Sequence, residues 1–251
     1  MAAAADHWRA ARPVMGTVAS LHVADNVPVD RIAAAAEATF DELERLEAMF
    51  STFRSTSEIS QINAGQLQIG DASSEVIDVF DACTWLGHAS SGAFSIAPPE
   101  RPGRFDPAGF VKGWATERAS RMLAEAGLTD WYLGVGGDIQ TSGRPRPNRG
   151  WSVAIADPLA PGEVRATLEL PTGYAIATSG TAERGEHLWT ASTQPRLASV
   201  TVVGPRLTWA DAFATAAFAK GLDGLAWVEQ FDDYQAWAIT DTGELLGQNI
   251  D

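Results

Sequence analysis

The sequence predicts an α+β fold, on three observations. Its strand-like runs follow one another in antiparallel-looking groups. Amphipathic helices interrupt those groups without a steady βαβ alternation, and neither an internal repeat nor a low-complexity linker divides the chain. A length of 251 residues suits one large domain or two intimately packed subdomains, with ample core. Residues 1–11 read as an N-terminal tail and 12–251 as the domain.

The elements can be justified in order. Thr17 to Val23 alternate, with Ala19, Leu21 and Val23 on one face and Val18, Ser20 and His22 on the other, which predicts a strand with His22 at its surface. Asp30 reads as the cap of a long helix whose apolar positions Ile32, Ala36, Phe40, Leu43, Leu46 and Phe50 keep three-or-four spacing. Asp41, Glu42, Glu44 and Glu47 then form its solvated face. A loop leads to a short helical turn from Ser57 to Asn63, and a second amphipathic helix spans 74–89. Cys83 lies within that helix and reads as a small core residue. Residues 97–103 carry three prolines and must be loop. Asp106-Pro107 opens a helix to about 126, with the acid as cap and proline in the first turn. Strands follow at 131–135, 151–156, 164–170, 174–178, 199–203 and 234–240, and helices at 208–220 and 222–230.

Composition excludes several classes of function. Eighteen Lys+Arg against 32 Asp+Glu leave a net charge of −14, which disfavours nucleic acid or an anionic membrane as the main partner. An anionic ligand would need a local device such as a metal ion, helix N-termini or a few placed cations. A single cysteine rules out an intrachain disulfide and any Cys-based zinc or iron–sulfur site. No apolar run approaches the roughly 18 residues of a membrane helix. Asp6 and Arg9 interrupt the N-terminal alanine run, so no signal-peptide core is expected. The expectation is a cytoplasmic protein without a membrane anchor.

Four segments are built oddly for scaffolding. In Asp106-Pro-Ala-Gly109-Phe-Val-Lys112, a glycine inside the first helical turn costs about 1 kcal/mol against alanine and lets another group approach the backbone. Lys112 either pairs with a phosphate or is a plain surface lysine. Gly136-Gly137-Asp138, directly after a strand, permits positive φ and an anion-facing backbone, or is simply a tight turn. Thr178-Ser179-Gly180 precedes His187, an imidazole among charges that can move protons near neutral pH. Asp211 and Thr215 stand four apart on one helical face within an apolar stretch. A buried carboxylate beside a hydroxyl fits a hard cation; the alternative is an acid stabilised by the helix dipole.

Taken in order, Met15-Gly16-Thr17, Phe50-Ser51-Thr52-Phe53, Ser57 to Asn63, Gly92-Ala93-Phe94, Asp106 to Gly113, Gly136 to Ile139, Thr178-Ser179-Gly180, His187 and Ala210 to Thr215 resemble the ApbE family of FAD:protein FMN transferases. The resemblance spans about residues 12–221. It implies an enzyme that binds FAD and Mg²⁺ and moves FMN to a threonine or serine hydroxyl of a target flavoprotein, releasing AMP. By position it assigns the metal to Asp211, Thr215 and the main-chain oxygen of Gly109. It assigns the flavin nucleotide to Met15, Phe53, Ala93, Phe94, Ser95, Asp106, Lys112 and Leu188, with Gly136, Gly137 and Asp138 on the phosphate side. His187 is its candidate general base.

Three departures mark this chain. The family's His-x-x-Asp-Pro is His187-Leu-Trp-Thr190-Ala191 here, Ser95 replaces an acid, and residues 95–105 form a shorter segment. Two alternatives therefore stand beside the transferase: an FAD pyrophosphatase yielding FMN and AMP, and a non-catalytic FAD-binding protein.

Overall fold

The computed structural model describes residues 7–97, 102–180 and 196–247. Eight strands form one antiparallel sheet, and its register follows from two matched turns. Strand β1 (Trp8–Val14) pairs with β2 (Thr17–Val23) across Met15-Gly16, whose φ values are 53° and 70°. Strand β3 (Trp131–Val135) pairs with β4 (Asp138–Ser142) across Gly136-Gly137, at 60° and 96°. Both are two-residue hairpins with positive φ at each central position, the type I′ geometry that matches strand twist. Because β2 pairs with β3, the two turns lie side by side, and the Gly136 N–H donates to Val18 O at 3.2 Å.

The chain then leaves the sheet for a separate hairpin, β5 (Trp151–Ala156) with β6 (Val164–Leu170). It returns through β7 (Ala175–Gly180), β8 (Leu197–Gly204), β9 (Gln235–Thr240) and β10 (Leu245–Gly247), giving the order β1-β2-β3-β4-β7-β8-β9-β10. The helices are α1 (Val29–Phe50), α2 (Glu58–Asn63), α3 (Ser74–Ala89), α4 (Ala108–Glu125), α5 (Leu207–Lys220) and α6 (Asp223–Val228).

Period-two burial assigns the two faces of the sheet. Ala175, Ala177, Val200, Val202, Ala236 and Ala238 join the main core with the helices, while Ile176, Val203, Trp237 and Ile239 pack with Val153, Ile155 and Leu170 of the β5–β6 hairpin. With both faces covered, every residue of β8 is buried. Helix α5 has ten buried residues, five of them alanine, and these small side chains seat it closely on the sheet.

Four expectations need correction. Residues 8–11 are not tail but the start of β1, an edge strand in which Pro13 forfeits no ladder bond that a central strand would need. Residues 138–142, absent from the expected strands, form β4, while the tight turn at Gly136-Gly137 stands as the hairpin loop before it. His22 is buried, because Trp151 of the hairpin and Tyr132 cover it at ring distances of 5.3 Å. Asp30 lies in the first turn of α1 and Asp106 sits one residue before the Pro107 cap, where its Oδ1 accepts the Ala108 N–H at 3.1 Å. The acids of α1 are also less idle than a solvated face. Arg12 reaches Glu37, Asp41 and Glu44, and Glu42 pairs with Arg45 and Arg118. Cys83 is buried as expected, and burial pushes its thiol up to about 12.

Candidate active site

The two hairpin turns deliver Asp138 to its place. As the first residue of β4 its side chain is fully buried, and Oδ1 accepts the Thr178 N–H from β7 at 3.0 Å. Oδ2 lies 2.7 Å from Lys112 Nζ, which arrives from the second turn of α4. Burial, followed by the neighbouring Asp211 charge, drives the Asp138 carboxyl well above the usual range, while Lys112 and the Thr178 amide pull it back. The family-derived lysine thus stands against a carboxylate rather than open solvent.

Asp211 is held from the other side. Helices α4 and α5 cross so closely that the Gly113 N–H, in mid-helix, donates to Asp211 Oδ2 at 2.8 Å. Four residues on, Glu117 accepts the Thr208 N–H at 2.9 Å, so the helices run antiparallel. The same spacing in the opposite direction sets the half-buried Gly109 opposite the Asp211–Thr215 turn of α5. Thr215 is buried, and its hydroxyl meets the Ser179 hydroxyl of β7 at 3.0 Å. A carboxylate and a hydroxyl therefore face one seam, oxygen groups of the kind a hard cation takes. Among the described residues, no group of three or more His, Cys, Asp and Glu side chains is placed to hold a metal ion.

A wall rises beside this seam. Lys220, at the end of α5, donates to Ser90 O at 3.1 Å and anchors the segment carrying Ala93, Phe94 and Ser95. The Phe94 N–H is taken by Ser90 Oγ at 3.0 Å, Ser95 folds onto Ala97 O at 2.8 Å, and Asp106 N donates to Ile96 O at 2.7 Å. Asn63 clamps Phe105 by both its backbone groups, at 2.7 and 2.9 Å. Asn63, which ends a short helix and a family-like motif in the sequence, is half-buried and uses both ends of its amide for this clamp.

The structure thus brings Lys112, Asp138, Asp211 and Thr215 together, with Gly136 and Gly137 at the turn that feeds Asp138 and Met15 in the neighbouring turn. Met15 holds a left-handed conformation at φ 53°, an uncommon strain for a long side chain. Phe53 is left out in solvent, 96% exposed on the loop after α1. His187 and Leu188 lie outside the described residues. Gly113 and Ser179, which hold the two α5 oxygens, belonged to quoted motifs without a role. Their contacts join elements 98 and 36 residues apart and leave no local signal.

Comparison with known proteins follows this geometry. A match to the ApbE family covers residues 15–100 and 98–238. Among curated relatives, the FAD:protein FMN transferase of Rhodobacter capsulatus is 35% identical over 47% of this chain and 24% of its own length. That of Haemophilus influenzae is 27% identical over 55% and 44%, and that of Escherichia coli K12 26% over 53% and 41%. The matched region therefore spans less than half of these relatives. The fold is that of the ApbE protein of Thermotoga maritima, at TM-score 0.79, 19% identity and coverage of 96% and 97%. It is also that of the flavin transferase ApbE of Vibrio cholerae, at TM-score 0.77, 21% identity and coverage of 96% and 97%. With matched segments spanning most of its length, this chain belongs to the ApbE family.

Proposed function

We propose that this chain is a Mg²⁺-dependent FAD:protein FMN transferase acting on a threonine or serine hydroxyl of a cytoplasmic flavoprotein. The observation that carries the reading is the meeting of hard-oxygen groups on one buried seam. Asp211 and Thr215 stand buried four apart on α5, where Asp211 Oδ2 accepts the Gly113 N–H and the Thr215 hydroxyl meets that of Ser179. The buried Asp138, paired with Lys112, lies near enough to feel the Asp211 charge. A buried carboxylate beside a hydroxyl suits a hard cation.

Asp211, Thr215 and the Gly109 carbonyl would hold Mg²⁺, which supplies charge neutralisation to the pyrophosphate of bound FAD. Lys112 would stand on the phosphate side, steered by Asp138. Met15, Phe53, Ala93, Phe94, Ser95 and Asp106 would hold the flavin half, with Leu188. The exposed Phe53 offers a ring face, and the Ser90–Ile96 wall is fixed before ligand arrives. In the transfer, the acceptor hydroxyl oxygen bonds to the FMN phosphorus, the bond from that phosphorus to the bridging oxygen breaks, and AMP leaves. His187 would take the hydroxyl proton. Little else is needed, since phosphoryl transfer rests on positioning and charge stabilisation. A second reading, FAD hydrolysis to FMN and AMP, is favoured by Thr190-Ala191 in place of Asp-Pro, and water then replaces the hydroxyl.

The test is Asp211→Asn and Thr215→Val, read by Mn²⁺ binding as a stand-in for Mg²⁺ and by AMP release from FAD. Both variants should lose at least tenfold in metal affinity and most of the AMP. Metal affinity equal to wild type in both variants would overturn the proposed site.

A further inference from the structure

At the opposite end of β4 from Asp138, the chain enters Gly143-Arg144-Pro-Arg146-Pro147-Asn148-Arg149-Gly150. Three arginines within six residues are out of character in a chain of net charge −14. The segment is built, not slack. The Arg149 N–H closes onto Arg146 O at 3.2 Å, with Pro147 and Asn148 between them and Asn148 at φ 61°. Proline at the second position and positive φ at the third define a type II turn, which sets Arg146 and Arg149 side by side. Each flank is anchored by an acid. Asp130 Oδ1 accepts the Arg144 N–H at 2.8 Å, and Glu169 Oε1 accepts the Gly150 N–H at 2.8 Å. Both carboxylates thus bond main chain at this loop. Arg144, Arg146 and Arg149 are exposed, and among the described residues none of their guanidiniums forms an ion pair. A concavity of about 310 Å³ lies against the loop, between Arg144 and Asn148 on one side and Glu169 to Thr172 on the other.

We propose that this arginine turn is a docking surface for an acidic segment of the protein that accepts FMN; this rests on the transferase reading above. Charge complementarity selects the partner. A net charge of −14 disfavours an acidic partner over the surface as a whole, and the three guanidiniums of this turn give it a local patch of attraction, where planar forks match carboxylates bidentately. A long polyanion such as nucleic acid would lay further charge along the acidic surface, whereas a short acidic segment need not. Five steps from Asp138 through β4 to Gly143, about 3.4 Å each, put the start of the loop about 17 Å from Asp138. That separation lets a protein partner contact both sites while the arginines take no part in the chemistry.

The test compares wild type with the triple variant Arg144→Gln, Arg146→Gln, Arg149→Gln. Binding of a labelled twelve-residue oligoglutamate, a twelve-residue oligothymidylate and FAD is measured at 50 and 300 mM salt. Oligoglutamate should bind wild type at low salt, weaken at high salt, and bind the variant at least tenfold less, with FAD affinity unchanged. No binding of oligoglutamate to wild type, equal binding to the variant, or tighter binding of oligothymidylate than of oligoglutamate would each overturn the proposal. FAD failing to bind either protein while oligoglutamate still distinguishes them would instead overturn the transferase reading and leave a basic docking turn.

Discussion

Replacing Gly113 with alanine puts the α4–α5 seam under direct test. A methyl at that position would meet Leu207 O and Asp211 Cβ at 2.7 Å and Asp211 Oδ2 at 3.1 Å. Carbon–oxygen and carbon–carbon contacts rest near 3.4–4 Å, so the helices must part by several tenths of an ångström. Leu207 O is backbone and Asp211 is buried, so neither can swing aside cheaply. Overpacking of this kind costs about 1–3 kcal/mol. Stretching the charge-assisted bond from the Gly113 N–H to Asp211 Oδ2 costs about 1 kcal/mol more. Against this, alanine in mid-helix gains about 1 kcal/mol over glycine. The net is a destabilisation of about 2 kcal/mol, which in a domain of this size lowers Tm by about 4–8 °C. Thermal unfolding followed by circular dichroism measures it, and Mn²⁺ titration of the folded variant should show weakened binding, because Asp211 moves with its helix. A variant as stable as wild type, or stabilised by the propensity gain, would refute the close crossing and the seating of Asp211 it implies.

Three further outcomes follow from buried titratable groups. Lys112→Met should cost about 3 kcal/mol, because it strands the Asp138 carboxylate. Adding Asp138→Asn should recover most of that loss in urea melts, and a double variant no better than the single contradicts the pairing. Burial, with Arg9 and His7 nearby, lowers His22 to about 4 from an ordinary 6.5, so the unfolded chain binds its proton first. Its contribution is complete above pH 6.5 and is lost as pH falls from 6.5 towards 4. Stability should drop by about 1–2 kcal/mol across that window after discounting for solvent screening, and His22→Gln should remove that component. Cys83, buried and pushed up to about 12, should resist a disulfide thiol reagent in the native protein and react fully in guanidinium; rapid native labelling would contradict its burial.

The sequence exposes what is local and hides what is distant. The periodicity of α1, α3 and α4 and the alternation of β5 and β6 mark those elements within a residue or two. Strand β1 escaped because Arg9, Arg12 and Pro13 interrupt its pattern, and its pairing with β2 is visible only across the Met15-Gly16 turn. Strand β4 escaped because Asp138 and Gln140 point inward, where a strand pattern expects apolar residues. Asp138 is bonded to Thr178 and Lys112, and Gln140 to the Leu207 N–H and Gly173 O. The alternation of β2 puts His22 on the wet face because nothing near it in sequence announces Trp151, 129 positions later. At the site, Asp211 and Thr215 are legible because a carboxylate and a hydroxyl on one face of an apolar helix conflict with burial. Their supports, Gly113 and Ser179, are not, because their work is done across elements. The β5–β6 hairpin was read strand by strand, yet its covering of the second sheet face follows only from packing.

The most direct test of the account is AMP release from FAD and Mg²⁺, followed by chromatography, with and without a protein domain bearing an acceptor threonine. The acceptor's mass is measured in parallel. Transfer predicts AMP in step with an acceptor heavier by one FMN, and neither in the Asp211→Asn variant. AMP at the same rate without acceptor, and no gain in acceptor mass, would contradict transfer and establish hydrolysis in its place.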